Sequence, residues 1–173
     1  MNHPALRFAS CELKGIQAGP VFVMATDQGL CRITWPDEGY AALAKWRDRH
    51  MPGAAIVEDL ESLRTYVQQL EEYLSGARSE FALGLDLRGT PFQLQVWKTL
   101  QAIPHGSTIS YTELALRAGS PHAVRAVGAA NGSNPVPIVV PCHRAIGKNG
   151  KLTGFRGGLE LKDRLLRLEG VAL

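Results

Sequence analysis

The chain lacks any apolar run long enough to span a bilayer or form a secretion-signal core. The longest near its start is VFVMA at 21–25. That absence points to the cytoplasm and away from membranes. Cysteine is scarce too, with only Cys11, Cys31 and Cys142 in 173 residues. An odd number at unrelated spacings excludes a disulfide framework. Cys11 and Cys31 do not form, with His50, the paired spacings of a zinc site, so they read as small buried hydrophobes. No internal repeat or low-complexity tract is present. Apolar residues at 45% and charged residues at 20% are ordinary for one or two small globular domains.

Acidic residues are short in one half only. Residues 1–89 carry nine Lys/Arg and twelve Asp/Glu, a net of −3. Residues 90–173 carry ten and four, a net of +6. A solvated surface and a phosphate-facing surface both fit that excess.

The first third reads as β-rich. Segments 6–14, 21–26 and 30–35 alternate or cluster apolar residues, with turns at Gly19-Pro20 and 27–29. Helices follow over 40–49 and along Leu60, Leu63, Val67, Leu70 and Leu74, with Gly76 as the stop. A short strand is expected over 83–87, and the domain boundary near 88–90.

The second half reads as helical. Thr90 caps a helix that opens at Pro91 and shows Phe92, Val96, Trp97 and Leu100 on one face, with Pro104 ending it. Ser110 and Glu113 form a capping box for a short helix that ends at Gly119. A second helix is expected from Pro121, with Ser120 as its cap and Val124, Val127 and Ala130 inward. Two short helices joined by a glycine turn read as a helix-turn-helix. A last helix follows Gly158, with Leu161, Leu165 and Leu168 as its buried edge and Gly170 as its stop.

A major-groove reader projects several Arg, Asn or Gln side chains. The second helix of this pair offers Ala, Val and Gly, with Arg125 its one long charged side chain and His122 and Asn131 near its ends. Such a surface can approach DNA closely and carries little sequence code. One arginine inserted into the base stack suits an enzyme that extracts a base. Helix packing with an ordinary surface arginine fits equally well.

The segment PVPIVVPCHRAI (135–146) concentrates three prolines before a thiol and an imidazole. Proline fixes φ, so the segment reads as a rigid rail presenting Cys142 as a nucleophile. Neighbouring residues on an extended chain point apart, so His143 would act as base across a bridging water. Arg144, Lys148, Lys151 and Arg156 follow and would acidify the thiol. The carboxylate that orients the histidine is one of Glu113, Glu160, Asp163 and Glu169, and spacing does not choose among them.

NPVPIVVPCHR, with VRAVGAANGSNP before it and GFRGGLELKDRLLRLEG after it, resembles the O6-alkylguanine-DNA alkyltransferase family. The entry segment PFQLQVWKTLQAIPHGSTISYTELA belongs to the same likeness, which runs from about Thr90 to Gly170. Over residues 1–88 the likeness is one of length and general pattern. The resemblance implies two domains. Residues 1–88 would form a ribonuclease H-like α/β domain with a small antiparallel sheet. Residues 89–173 would form a mostly α domain with a winged-helix-like helix-turn-helix that binds DNA and accepts the alkyl group.

By the resemblance, Cys142 accepts the alkyl group and His143 reaches it through water. Glu169 orients His143, and Asn134 holds the turn around the site. Tyr111 crowds the target's phosphate and hydrogen-bonds the flipped base. Arg125 fills the vacated stack, on a DNA face with Ser120, His122, Ala126 and Ala129. The pocket is lined by Ala145, Arg156, Lys162 and Pro137. Arg156 departs from the small residue that many relatives carry there. Cys11 and Cys31 fall near positions where some relatives hold zinc, without the full ligand set.

The function implied is direct reversal of damage by a monomer without cofactor or metal. It would act from the minor groove on double-stranded DNA that carries O6-alkylguanine, and on O4-alkylthymine. Transfer would be stoichiometric and irreversible. A non-catalytic damage-binding relative and a hydrolytic Cys–His enzyme are the alternatives.

Overall fold

Alternating apolar side chains in the first third build a four-stranded sheet. The structure is a computed structural model that describes residues 4–16 and 19–173, and it divides into units 1–88 and 89–173. In the first unit β1 (Leu6–Cys11), β2 (Val21–Thr26) and β3 (Gly29–Ile33) pair antiparallel in sequence. A fourth strand, β4 (Ile56–Glu58), joins the other edge of β1 in parallel, giving the order β3-β2-β1-β4. The sheet is therefore mixed where an antiparallel one was expected. The chain leaves β3 through helix α1 (Gly39–His50) before it reaches β1 again. A crossover of that kind can deliver a parallel strand, whereas a hairpin cannot.

The two sheet faces have separate covers. Leu43 and Trp46 of α1 pack with Leu6, Met24 and Cys31. Leu63 of α2 (Leu60–Leu74) packs with Ala9 and Ala25 on the other face. The strand expected over 83–87 is reduced to an isolated bridge, with Leu30 donating to Gly84 and Asp86 donating back to Leu30. That approach depends on Gly29. Its φ is 143°, and a Cβ there would lie 2.5 Å from the Gly84 carbonyl carbon and oxygen. Cys31 is buried, and its thiol donates to the Met24 carbonyl at 3.3 Å.

The second unit is helical because its caps and apolar stripes agree. α3 (Pro91–Gln101) starts with a complete Thr90–Gln93 capping box and proline in its first turn. α4 (Tyr111–Arg117) is capped by Ser110. α5 (Val124–Gly132) follows, and α6 (Leu159–Leu168) closes the unit. Two two-residue strands, β5 (Ile109–Ser110) and β6 (Ala145–Ile146), pair in parallel.

α5 begins three residues later than expected. Ser120 is not its cap: its carbonyl accepts from the Ala123 amide at 3.0 Å, closing a turn over 120–123. Proline is as well suited to the second position of such a turn as to the first helical position, so Pro121 alone does not choose. The buried face of α6 also differs from the expected edge. Leu161, Leu165 and Leu166 are buried, and Leu168 is exposed. Lys162, Leu166 and Glu169 form a second inward stripe at helical spacing.

α3 and α5 are tied by a buried polar bond. Trp97 is buried beside Val96 and Leu100, and its indole N–H donates to the Ala130 carbonyl at 2.8 Å. Trp97→Phe keeps much of the apolar volume and deletes the donor. Unfolding in urea should show a loss of roughly 1–3 kcal/mol, the usual cost of a broken buried hydrogen bond. An unchanged midpoint would show that the bond contributes nothing.

Candidate active site around Cys142

The proline-rich segment is a folded turn rather than the extended rail expected from its sequence. The Val140 amide donates to the Val136 carbonyl at 2.9 Å, and Pro137 is bridged to Val140. Asn134 holds this turn from inside, accepting from the Val136 amide at 2.9 Å and donating to the Val140 carbonyl at 2.7 Å. Ile138 sits at φ 74°, a region that β-branched residues avoid. Such strain costs about 1–3 kcal/mol and persists only where surroundings enforce it. Val136, Ile138 and Val140 are all buried, which supplies that enforcement. Pro137 is buried inside the turn as well.

Residues Cys142–Arg144 then form one turn of 3₁₀ helix. Three residues per turn send these three side chains in different directions. His143 is fully buried, and its Nε2 lies 2.8 Å from Glu169 Oε1. A carboxylate only accepts, so Nε2 carries the proton and Nδ1 is left as the basic nitrogen. Arg144 binds the same carboxylate through Nε and Nη2, at 2.9 and 2.8 Å. Its Nη1 donates to the Ile103 carbonyl at 2.6 Å. The Gly106 amide adds a donor to Glu169 Oε2 at 3.2 Å. Gly106 has φ 80°, and a Cβ there would press on the Glu169 carbonyl at 3.1 Å.

Four acids were open from spacing. Glu113 pairs with Arg117 and Asp163 with Arg167, both near solvent, and Glu160 is exposed. Glu169 is the one that meets His143.

The expectation that neighbouring cations acidify Cys142 fails. Burial pushes the thiol up to about 11, outweighing hydrogen bonding from the Asn134 side chain, the Lys162 charge and two main-chain amides. Arg144 is committed to Glu169, while Lys148, Lys151 and Arg156 are exposed. Burial likewise holds His143 below its ordinary value, against the pull of Glu169. The resting site therefore pairs a neutral thiol with a neutral imidazole.

Lys162 is the cation that faces the thiol. It is fully buried, and its ammonium donates to the carbonyls of Ala145 and Thr153 and to the Tyr111 hydroxyl, at 2.6, 3.0 and 3.3 Å. Burial lowers its pKa to about 8. Tyr111 opens α4, and its hydroxyl donates to the Thr153 carbonyl at 3.2 Å.

Arg125, Ala126 and Ala129 share the exposed face of α5, with His122 exposed just ahead and Ser120 half-buried. The opposite face buries Val127, Ala130 and Asn131. Three contributors escaped sequence reasoning as site residues. Arg144 was read as a free cation, although its place next to His143 on a tight turn was a usable signal. Asn131 donates to the Cys142 carbonyl at 3.4 Å, and no sequence pattern pointed there. No pattern marked Gly106 either.

Cys31 is raised to about 12 by burial. Among the described residues no group of three or more His, Cys, Asp or Glu side chains could hold a metal ion. The residues around Cys11 and Cys31 do not fit a zinc site.

Comparison with known proteins matches two family models. One is described as the 6-O-methylguanine DNA methyltransferase DNA binding domain, over residues 91–171, and the other as its ribonuclease-like domain, over 15–87. The inducible methylated-DNA--protein-cysteine methyltransferase of Bacillus subtilis (strain 168) is 46% identical over 86% of this chain and 83% of its own length. That of Methanosarcina acetivorans is 42% identical over 88% of this chain and 92% of its own. Among solved structures, Mycobacterium tuberculosis OGT in complex with DNA superposes with a TM-score of 0.80 at 40% identity, covering 94% of this chain and 92% of that one. The two halves of the molecule, an α/β unit and a helical unit with a buried thiol, are thus matched separately and together, and the chain belongs to the 6-O-methylguanine DNA methyltransferase family.

Proposed function

We propose that this protein repairs DNA by direct reversal, moving the alkyl group from O6 of guanine to Cys142. Residues 89–173 form the domain that binds DNA and accepts the alkyl group, and residues 1–88 form the accompanying α/β domain. The observation that carries the reading is the Glu169–His143 pair beside Cys142, with Nδ1 of the imidazole as the basic atom.

The chemistry follows from the parts. His143 takes the thiol proton across a bridging water, and Glu169 steadies the imidazolium. Sulfur attacks the alkyl carbon in line as the C–O6 bond breaks. The bond's electron pair goes to the purine, which takes a proton from the Tyr111 hydroxyl. Asn134 holds the turn that aims the sulfur, and Ala145, Arg156, Lys162 and Pro137 surround the base. Arg125 fills the place of the extruded base, while Ser120, His122, Ala126 and Ala129 lie against the minor groove. Flipping costs a few kcal/mol and least for a weakly paired base. The presence of the thiol weighs against a non-catalytic binding role.

A thioether offers no ready leaving group, so each molecule acts once. It does so as a monomer in the cytoplasm, on O6-alkylguanine and also on O4-alkylthymine. No helix among the described residues is long and apolar enough to cross a membrane.

Incubation with excess duplex carrying O6-methylguanine should stop at one methyl per protein, located on Cys142 by mass spectrometry. Continued turnover would refute the single-use reading. Arg125→Ala should slow repair of duplex by about tenfold or more while leaving reaction with free O6-benzylguanine nearly unchanged. Equal losses on both substrates would remove the flipping role.

A further inference from the structure

Asn131 is buried on α5 without a structural reason to be polar. It is 4% exposed, and its Nδ2 donates to the Cys142 carbonyl over a long 3.4 Å. That carbonyl already accepts from the Ala145 amide in the 3₁₀ turn, so it does not depend on the asparagine. The other end of the side chain is worse placed. Oδ1 is buried and has no hydrogen-bond partner among the described residues. Turning the amide over would set Oδ1 against the Cys142 carbonyl, acceptor to acceptor. An apolar side chain of like size would fill the same place without burying an unmatched acceptor. Such an atom calls for an explanation beyond packing.

Gly128 supplies a second observation. It precedes Asn131 by three residues, so both lie on one side of α5, with Val124 a turn further back. Glycine is a weaker choice than alanine inside a helix, and α5 is helical through this position. Among the described residues, and leaving out the helix itself, no atom comes within 4 Å of the place a Cβ would take there. The stripe of α5 that reaches the Cys142 main chain is thus trimmed to glycine beside open space, and it ends in a buried acceptor. Space beside a nucleophile admits an alkyl group longer than methyl. A buried acceptor discriminates among such groups, because only one that brings a donor satisfies it.

We propose that Asn131 is a specificity-determining residue that favours O6-hydroxyalkylguanine. Its Oδ1 accepts from the hydroxyl of a 2-hydroxyethyl group, and Gly128 gives that group its room. This rests on the alkyl-transfer reading. The hydroxyl takes no part in the bonds that change. Sulfur gains the carbon next to O6, the C–O6 bond breaks, and its electron pair goes to the purine. The thiol proton passes to His143, and the purine takes its proton from Tyr111. Cys142 ends as S-(2-hydroxyethyl)cysteine, with the hydroxyl still on Oδ1. Ring-opening of an epoxide by guanine O6 leaves this substituent, so epoxide damage is the class of lesion the site suits.

The test compares duplexes that differ in one group. O6-(2-hydroxyethyl)guanine and O6-propylguanine carry chains of equal length that end in hydroxyl or methyl. Single-turnover rates of Cys142 alkylation are read by mass spectrometry, each relative to the same protein's rate on O6-methylguanine duplex. Wild type should transfer hydroxyethyl at least about tenfold faster than propyl. In Asn131→Leu that ratio should fall toward one. Gly128→Ala should slow both longer groups relative to methyl and leave the ratio between them at the wild-type value. A wild-type ratio near one, as a solvent water on Oδ1 would give, would overturn the proposal, and so would a preference that survives in Asn131→Leu. Should Asn131→Leu not fold, Asn131→Ala takes its place, and the wild-type ratio needs no variant. Longer groups unaffected by Gly128→Ala would remove the part given to Gly128. A wild-type protein that gains no methyl from O6-methylguanine fails the alkyl-transfer reading itself, a separate result.

Discussion

A single buried carboxylate organises the second unit. Glu169 sits at the end of α6 and gathers donors from His143, Arg144 and Gly106. Left unpaired, an ionised carboxylate in that position would cost several kcal/mol, so its partners are required as well as permitted. Arg144 neutralises it, His143 is oriented by it, and the glycine lets the chain pass close enough to donate. Because His143 and Arg144 follow Cys142 on one tight turn, fixing the carboxylate also fixes the backbone that carries the sulfur. The same helix stripe puts Lys162 on the thiol's other flank.

The resting chemistry that results is restrained. A thiol raised to about 11 is almost wholly protonated at neutral pH, with a thiolate share on the order of 10⁻⁴. For a thiol proposed to react only once, inertness toward stray electrophiles is useful. The basic nitrogen, the ammonium and the Asn134 amide stand ready to stabilise charge when the proton leaves. The strained Ile138 fits this picture, since it belongs to a turn held in one shape by burial and by both ends of the Asn134 side chain.

Local rules in the sequence were legible where one residue sufficed to satisfy one backbone group. Thr90, Ser110 and the glycines after α2, α4 and α6 act where their chemistry directs. Rules failed where two local solutions were equally good. Pro121 favours a turn as much as a helix start, and a strand after a crossover can pair on either edge. The inward side of α6 was misjudged because only its leucines were counted, while a lysine and a glutamate share the buried side. Each is buried only because a partner arrives from far along the chain, Ala145 for one and His143 for the other. Spacing could not select Glu169 from four acids for the same reason, and the resemblance supplied that choice. Arg144 was misread because charge alone was counted, and the bidentate fit of guanidinium to carboxylate was not.

The central claim is that Glu169 orients His143 with its proton on Nε2, while burial keeps the ring neutral and its basic edge available to the thiol. Nitrogen-15 shifts of the His143 ring across a pH titration test it most directly. The account predicts a neutral Nε2–H tautomer at pH 7, with protonation only below the ordinary histidine value of about 6.5. An Nδ1–H tautomer, or an imidazolium at pH 7, would contradict it.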